Sequence, residues 1–141
     1  MAPNDVELIR VYTADAGSIP SSVVLPITDD FDIIVEVEAG SAIFGSGTDF
    51  EVGVVVVDIN AFNLIPTKNP APAGYQVSPF NSDLDGPGSD WPTQKHSFKF
   101  QVANAVLVGR QNHMGIVYAY LKARHTDPDV SFGISVPFLL V

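Results

Sequence analysis

Residues 115–141 carry the clearest hydrophobic pattern in the chain. Val117, Ala119, Leu121 and Ala123 alternate with Tyr118, Tyr120, Lys122 and Arg124, and further on Val130, Phe132, Ile134, Val136, Phe138 and Leu140 alternate with Ser131, Gly133, Ser135 and Pro137. Side chains of a strand point to opposite faces with period two, so both stretches read as strands with one apolar face. Between them, His125-Thr126-Asp127-Pro128-Asp129 has turn chemistry, because proline fixes φ and Asp side chains close local hydrogen bonds. The pattern predicts a hairpin whose apolar faces are covered by a second layer.

The same period recurs upstream. Val6–Thr13 reads as a first strand, with Val6 and Leu8 on one face and Ile9 and Val11 on the other. Ser21–Thr28, bracketed by Pro20 and Pro26, reads as an extended segment lying along a sheet edge. In 30–40, Phe31, Ile33, Val35, Val37 and Ala39 take one face, and Asp32, Glu36 and Glu38 are expected to meet solvent on the other. Gly45-Ser46-Gly47-Thr48 reads as a reversal. The consecutive valines 54–57 within 51–59 predict a central strand covered on both faces, which 60–65 extends or accompanies. Lys95–Val102 places His96, Phe98, Phe100 and Val102 inward. No amphipathic helix of convincing length appears, because β-branched and aromatic residues dominate the apolar runs.

Residues 66–94 differ in kind. Six prolines in 29 residues, with Gly74, Gly86 and Gly88, predict a long irregular connection without a regular strand. Tyr75, Phe80 and the single tryptophan, Trp91, indicate that it packs on the body of the protein.

About seven to eight strands and one long crossover predict an all-β fold over residues 1–141: a two-sheet antiparallel β-sandwich, immunoglobulin-like or jelly-roll-like, in one domain. Gly115-Ile116-Val117-Tyr118 before the penultimate strand resembles the glycine-then-tyrosine lead-in of immunoglobulin-like domains, with one residue more in the spacing. The cysteine pair and core tryptophan of antibody domains are missing from the pattern. The resemblance implies a tyrosine corner at Tyr118 and residues 30–39 beside 95–102, with Glu36 and Glu38 near Lys95 and Lys99. It transfers no functional residue.

Composition narrows the partners. There is no cysteine, so disulfides, thiolate nucleophiles and cysteine-held metals are excluded. Met1–Asp5 has no basic region and no apolar run follows it, so no signal peptide is visible; a soluble chain is expected, with no compartment assigned. No apolar run is long enough for membrane insertion. A net charge of −9 argues against nucleic acid and anionic membranes as partners. The charge is divided: residues 1–94 hold 2 Lys/Arg and 14 Asp/Glu, a net −12, while 95–141 hold 5 and 2, a net +3. Cross-strand pairing within one domain accounts for this division, and so does attraction between copies.

Three groups of residues are candidates for function. Asn81, Asp83, Asp85 and Asp90 sit in a run, 81–90, that resembles the opening of a DxDxDG calcium loop, where alternate oxygen side chains of a curled backbone aim at one centre. Pro92 occupies the twelfth position, where such loops need a bidentate Glu, and the bland alternative is an ordinary Asn/Asp/Gly loop. Tyr75, Phe80 and Trp91 are candidates for stacking on a sugar beside it. Tyr118, Tyr120, Lys122 and Arg124 form an aromatic and basic sheet face, a candidate protein interface if it is not covered by the long loop. His96, His113 and His125 match no metal spacing. No nucleophile elbow, phosphate loop or HExxH motif occurs. The reading is a non-catalytic module, without cofactor apart from candidate calcium, that mediates self-assembly or protein contact. The alternative is a calcium-dependent carbohydrate-binding module, with a glycan as partner.

Overall fold

The computed structural model describes residues 5–124 and 129–141. Its strands are β1 (Val6–Asp15), β2 (Val24–Leu25), β3 (Phe31–Ala39), β4 (Asp49–Asp58), β5 (Asn63–Ile65), β6 (Phe80–Asp83), β7 (Lys95–Val102), β8 (Met114–Arg124), β9 (Asp129–Ile134) and β10 (Phe138–Leu140), with one 3-10 turn at Asn104–Leu107. The smaller sheet has the order β1-β3-β7 and the larger the order β2-β10-β8-β4-β5. β6 pairs with β4, and β9 with β8. All pairings are antiparallel except β2 with β10. This is a two-sheet β-sandwich, and its strand order is immunoglobulin-like: β1, β3 and β7 oppose β4, β8 and the β9/β10 strand. The predicted turn at 125–128 lies outside the described residues.

The period-two pattern builds the core. Phe31, Ile33, Val35, Val37, Phe98 and Phe100 from the smaller sheet meet Phe50, Val52, Val54, Val56, Val117 and Leu121 from the larger, all buried. Each such side chain is worth about 1.5–3 kcal/mol of burial. β3 and β7 are neighbours, with Glu38 opposite Lys95, as the resemblance implied; Lys99 pairs with Ile34, and Glu36 binds Arg10 at 3.0 Å.

Several expectations are corrected. A register shift at Leu8/Arg10 turns β1, so Val6, Leu8 and Val11 all face the core and Ile9 is exposed. Asp32 does not meet solvent. It is buried, accepting from Gly17 N–H at 2.9 Å, the Tyr75 hydroxyl at 2.8 Å and the Gln101 amide at 2.9 Å. A short strand, β6, forms inside the proline-rich segment, because Phe80–Asp83 contains no proline and the edge of β4 is available to it. The valines 54–57 lie in a central strand with only one covered face: Val54 and Val56 are buried and Val55 is exposed. Tyr118 stands on the outer sheet face opposite Val55 and is no corner.

The largest correction concerns the last strand. Phe138 and Leu140 are buried, but Val130, Phe132, Ile134 and Val136 are exposed. Ile134 pairs with Tyr118, yet Phe138 pairs with Gly115, so one extra residue is accommodated between β9 and β10 and the inward parity changes there. Ser135 marks the slip: it is buried, its hydroxyl accepts from Val117 N–H at 2.9 Å, and it donates to the Val136 carbonyl at 2.9 Å.

The long connection wraps the smaller sheet. Lys68 and Gln76 donate backbone N–H groups to the carbonyls of Gln101 and Lys99 on the free edge of β7, both at 2.7 Å. Lys68 also binds Asp30 at 2.8 Å, and Tyr75 lies on Asp32. The chain then returns to the larger sheet. There the Ser78 hydroxyl bridges the backbone of Val54 at 2.9 and 3.0 Å, between the segments of β4 that pair with β5 and β6.

Candidate functional site

Because the connection covers the smaller sheet, the outer face of the larger one is open. Register fixes what stands there. Ile134, Tyr118 and Val55 form one row across β9, β8 and β4; Phe132, Tyr120 and Gly53 form the next; Val130, Lys122 and Glu51 form a third; Arg124 and Asp49 end the face. Exposure is high in the apolar rows: 76% for Phe132, 61% for Ile134 and 45% for Tyr118. Val136 and Leu64 extend the patch as exposed residues.

Sequence alternation predicts the large residues of β9 inward; close packing puts them out. Ser131 and Gly133 face β1, where Leu8 N–H donates to the Ser131 hydroxyl at 3.0 Å and a Cβ on Gly133 would lie 2.5 Å from Leu8 Cδ2. Val6 N–H donates to Asp129 at 2.8 Å beside it. The two sheet margins approach too closely for a large side chain, so the small residues take the inner face. The available signal was the run Ser131, Gly133, Ser135 itself. Sequence reasoning therefore found Tyr118, Tyr120, Lys122 and Arg124 but missed Val55, Leu64, Phe132, Ile134 and Val136.

The polar end of the face is organised around Glu51. The Tyr120 hydroxyl donates to Glu51 Oε2 at 2.5 Å, and Lys122 Nζ lies 3.6 Å from the same oxygen. Burial, then the hydrogen bond to Glu51, pushes the Tyr120 phenol up to about 12. Asp49, Glu51, Asn81, Asp83, Lys122 and Arg124 line an open cleft of about 430 Å³ at this end. Asp49, opposite Asp83 in the register, raises the Asp83 pKa, with Asp85 contributing further repulsion. Arg124 opposite Asp49 and Lys122 opposite Glu51 show how the divided charge of the sequence is used: acidic and basic strands pair within the chain.

The structure places the candidate calcium-loop residues on different elements. Asn81 and Asp83 belong to extended β6 and project on one side of it, while Ser82, on the other, donates to Asp90 at 2.6 Å. Alternate residues of a strand stand in a row and do not converge. Asp85 lies beyond the strand, after buried Leu84. Among the described residues, no group of three or more His, Asp or Glu side chains is placed to hold a metal ion.

The proposed stacking aromatics are also reassigned. Trp91 is fully buried, edge-on to Phe50 at 5.1 Å and to Phe98 at 5.7 Å, and its indole N–H donates to the Gln94 carbonyl at 3.2 Å. Phe80 packs on the same cluster at 6.0 Å from Phe50. Tyr75 is tied to Asp32; burial, then this hydrogen bond, pushes its phenol up to about 12. These three hold the connection to the sandwich. Trp91 is closed to solvent, while Tyr75 and Phe80 are half-buried.

The histidines stand apart from this face. His96 is edge-on to Phe98 at 4.8 Å, and burial lowers its pKa. His113 Nδ1 and Arg110 Nη1 each lie 2.7 Å from Asp58 Oδ2, while Asp58 Oδ1 accepts from the N–H groups of Asn60 and Ala61 at 3.0 and 2.9 Å. Asp58 is fully buried. Burial raises its pKa, but the bonds from His113, Ala61 and Arg110 outweigh that and hold it at about 2. His125 lies outside the described residues.

Fold and face together define an immunoglobulin-like β-sandwich with one open apolar sheet face. No family model matches the chain, and no curated protein matches it. Among solved structures, the C-terminal domain of Wzt is similar at a TM-score of 0.51 and 9% identity, over 98% of this chain and 74% of that one. AggA, the major subunit of aggregative adherence fimbriae type I from Escherichia coli, is similar at 0.46 and 8%, over 96% and 98%. At 9% identity the likeness to the Wzt domain concerns the fold.

Proposed function

We propose that this chain is a non-catalytic β-sandwich module that works by protein contact through the outer face of its larger sheet. The observation that carries the reading is the exposed patch of Phe132, Ile134, Tyr118 and Val55 over two adjoining rows. An exposed apolar area of this kind on a folded domain marks an interaction site. The flanking Glu51, Lys122 and Arg124 supply a polar rim, the usual anatomy of a contact surface. The buried carboxylates support the non-catalytic part: Asp32 and Asp58 spend both oxygens on structural partners.

The test is a photo-crosslinking amino acid, p-benzoylphenylalanine, placed at position 132 and, as control, at position 99 on the opposite sheet, in the cells from which the chain derives. A discrete protein adduct at 132 and none at 99 is expected. Absence of any adduct at 132 overturns the reading.

The cleft at the polar end favours a second occupant, a glycan, because carboxylates, an amide and two cations form the hydrogen-bonding set that sugar hydroxyls require. This version needs no calcium. Glycan-array binding that is lost in Asn81→Ala and Lys122→Ala supports it; an array without hits removes it.

A further inference from the structure

Resting on the protein-contact reading, we infer that the occupant of the open face is a second copy of this chain, packed sheet against sheet in an isologous dimer. Three observations point to it. At about 100 Å² of exposed surface per large apolar side chain, Val55, Leu64, Tyr118, Val130, Phe132, Ile134 and Val136 present on the order of 700 Å². That is close to the ~800 Å² that each partner contributes to a standard interface. A patch of this size serves as a complete contact, where a weak encounter would need less.

The second observation is shape. The patch is the face of a three-strand region of sheet, β9-β8-β4, bordered on one side by the edge strand β9, which pairs only with β8, and on the other by a hollow at Val55 and Leu64. Its central rows, Ile134-Tyr118-Val55 and Phe132-Tyr120-Gly53, present side chains and no backbone groups, which is the surface a second sheet face matches. Twisted sheets pack face to face with strands about 30° apart, an angle set by the twist of both, so a second sheet of the same hand fits best. Another copy supplies it.

The third is charge. The chain as a whole carries −9, yet the rows of Ile134-Tyr118-Val55 and Phe132-Tyr120-Gly53 contain no charged side chain. The nearest rim holds both signs, Glu51 beside Lys122 and Asp49 opposite Arg124. This is where two acidic copies can approach with least repulsion. A basic partner would instead be drawn to the acidic remainder of the surface.

Charge also sets the test. Self-association of two −9 chains through apolar contact tightens as salt screens their repulsion, whereas binding of a basic protein weakens. Sedimentation velocity across a concentration series at low and high salt reads this directly. A dimer mass that rises with concentration and with salt is expected, with association weakened at least tenfold, about 1.4 kcal/mol, by Phe132→Asp and by Ile134→Asp. Both positions are exposed, and unchanged cooperative unfolding checks that the variants fold. Ile19→Asp, also at an exposed apolar residue but in the β1–β2 connection, is expected to dimerise as the parent does. A monomer at all concentrations, or dissociation by Ile19→Asp alone, overturns the dimer. The crosslinking experiment separates the two readings: an adduct at position 132 with a different protein leaves protein contact standing and removes self-pairing.

Discussion

Tyr120 lies across Gly53, its neighbour on the adjacent strand: a Cβ on that glycine would sit 2.6 Å from Cε1, Cζ and the hydroxyl oxygen of the ring. The hydroxyl is held by Glu51. The glycine thus lets an aromatic side chain lie down on the outer sheet face, while Phe132 beside it stands free. Gly53→Ala must lift the ring and break the bond to Glu51, and Tyr120→Phe breaks the same bond. Each is expected to cost about 1 kcal/mol in urea denaturation. The double variant should cost less than the sum, because both changes remove one interaction.

Tyr75 and Tyr120 are each held neutral by burial and a carboxylate, with phenol values of about 12. A raised folded pKa favours the neutral form, so the stabilisation is complete below the unfolded value near 10 and is lost as pH rises through about 12. Ultraviolet difference titration should show a late phenolate step near 12. Tyr75→Phe and Tyr120→Phe should each remove part of it.

Asp58 gives the opposite dependence. Its folded value of about 2 lies below the ordinary 3.8, so its contribution is present above pH 4 and is lost as pH falls through about 2. The difference corresponds to about 2 kcal/mol. Asp58→Asn should flatten the acid limb of a stability–pH profile in that window. It should also lower stability at neutral pH, because the Arg110 guanidinium keeps its place without a counter-charge.

The legible part of the fold was whatever period-two alternation and burial decide together. The apolar faces of β3, β7 and β8 match the prediction because each has a core layer on that side. Alternation failed where something other than apolar content set the facing. In β1 a register shift turned Val11 inward with Leu8. In β3 the buried Asp32 is satisfied by Gly17, Tyr75 and Gln101, partners scattered through the sequence that no local pattern links. The candidate face was half legible for a related reason. Tyr118, Tyr120, Lys122 and Arg124 follow from the alternation of β8, but whether the 66–94 connection covers them depends on which sheet it wraps. That is settled by Tyr75 and Lys68 reaching Asp32 and Asp30. Trp91 looked like a ligand platform for want of any signal separating a surface indole from one buried against Phe50 and Phe98.

The inverted strand β9 yields the sharpest contrast between pattern and packing. If apolar alternation decided its facing, Phe132→Ser would empty part of the core and cost about 3–5 kcal/mol, while a larger residue at position 133 would sit harmlessly outside. In the structure Phe132 is 76% exposed, and the inner face at Gly133 is filled by Leu8 and Val11. Phe132→Ser should therefore change the stability of the dilute monomer by roughly 0.5 kcal/mol or less, and Gly133→Val should lower it by about 1–3 kcal/mol through overpacking against Leu8. Urea denaturation at low protein concentration checks both. A large loss for Phe132→Ser with none for Gly133→Val would restore the simple alternation and close the open face on which the functional reading stands.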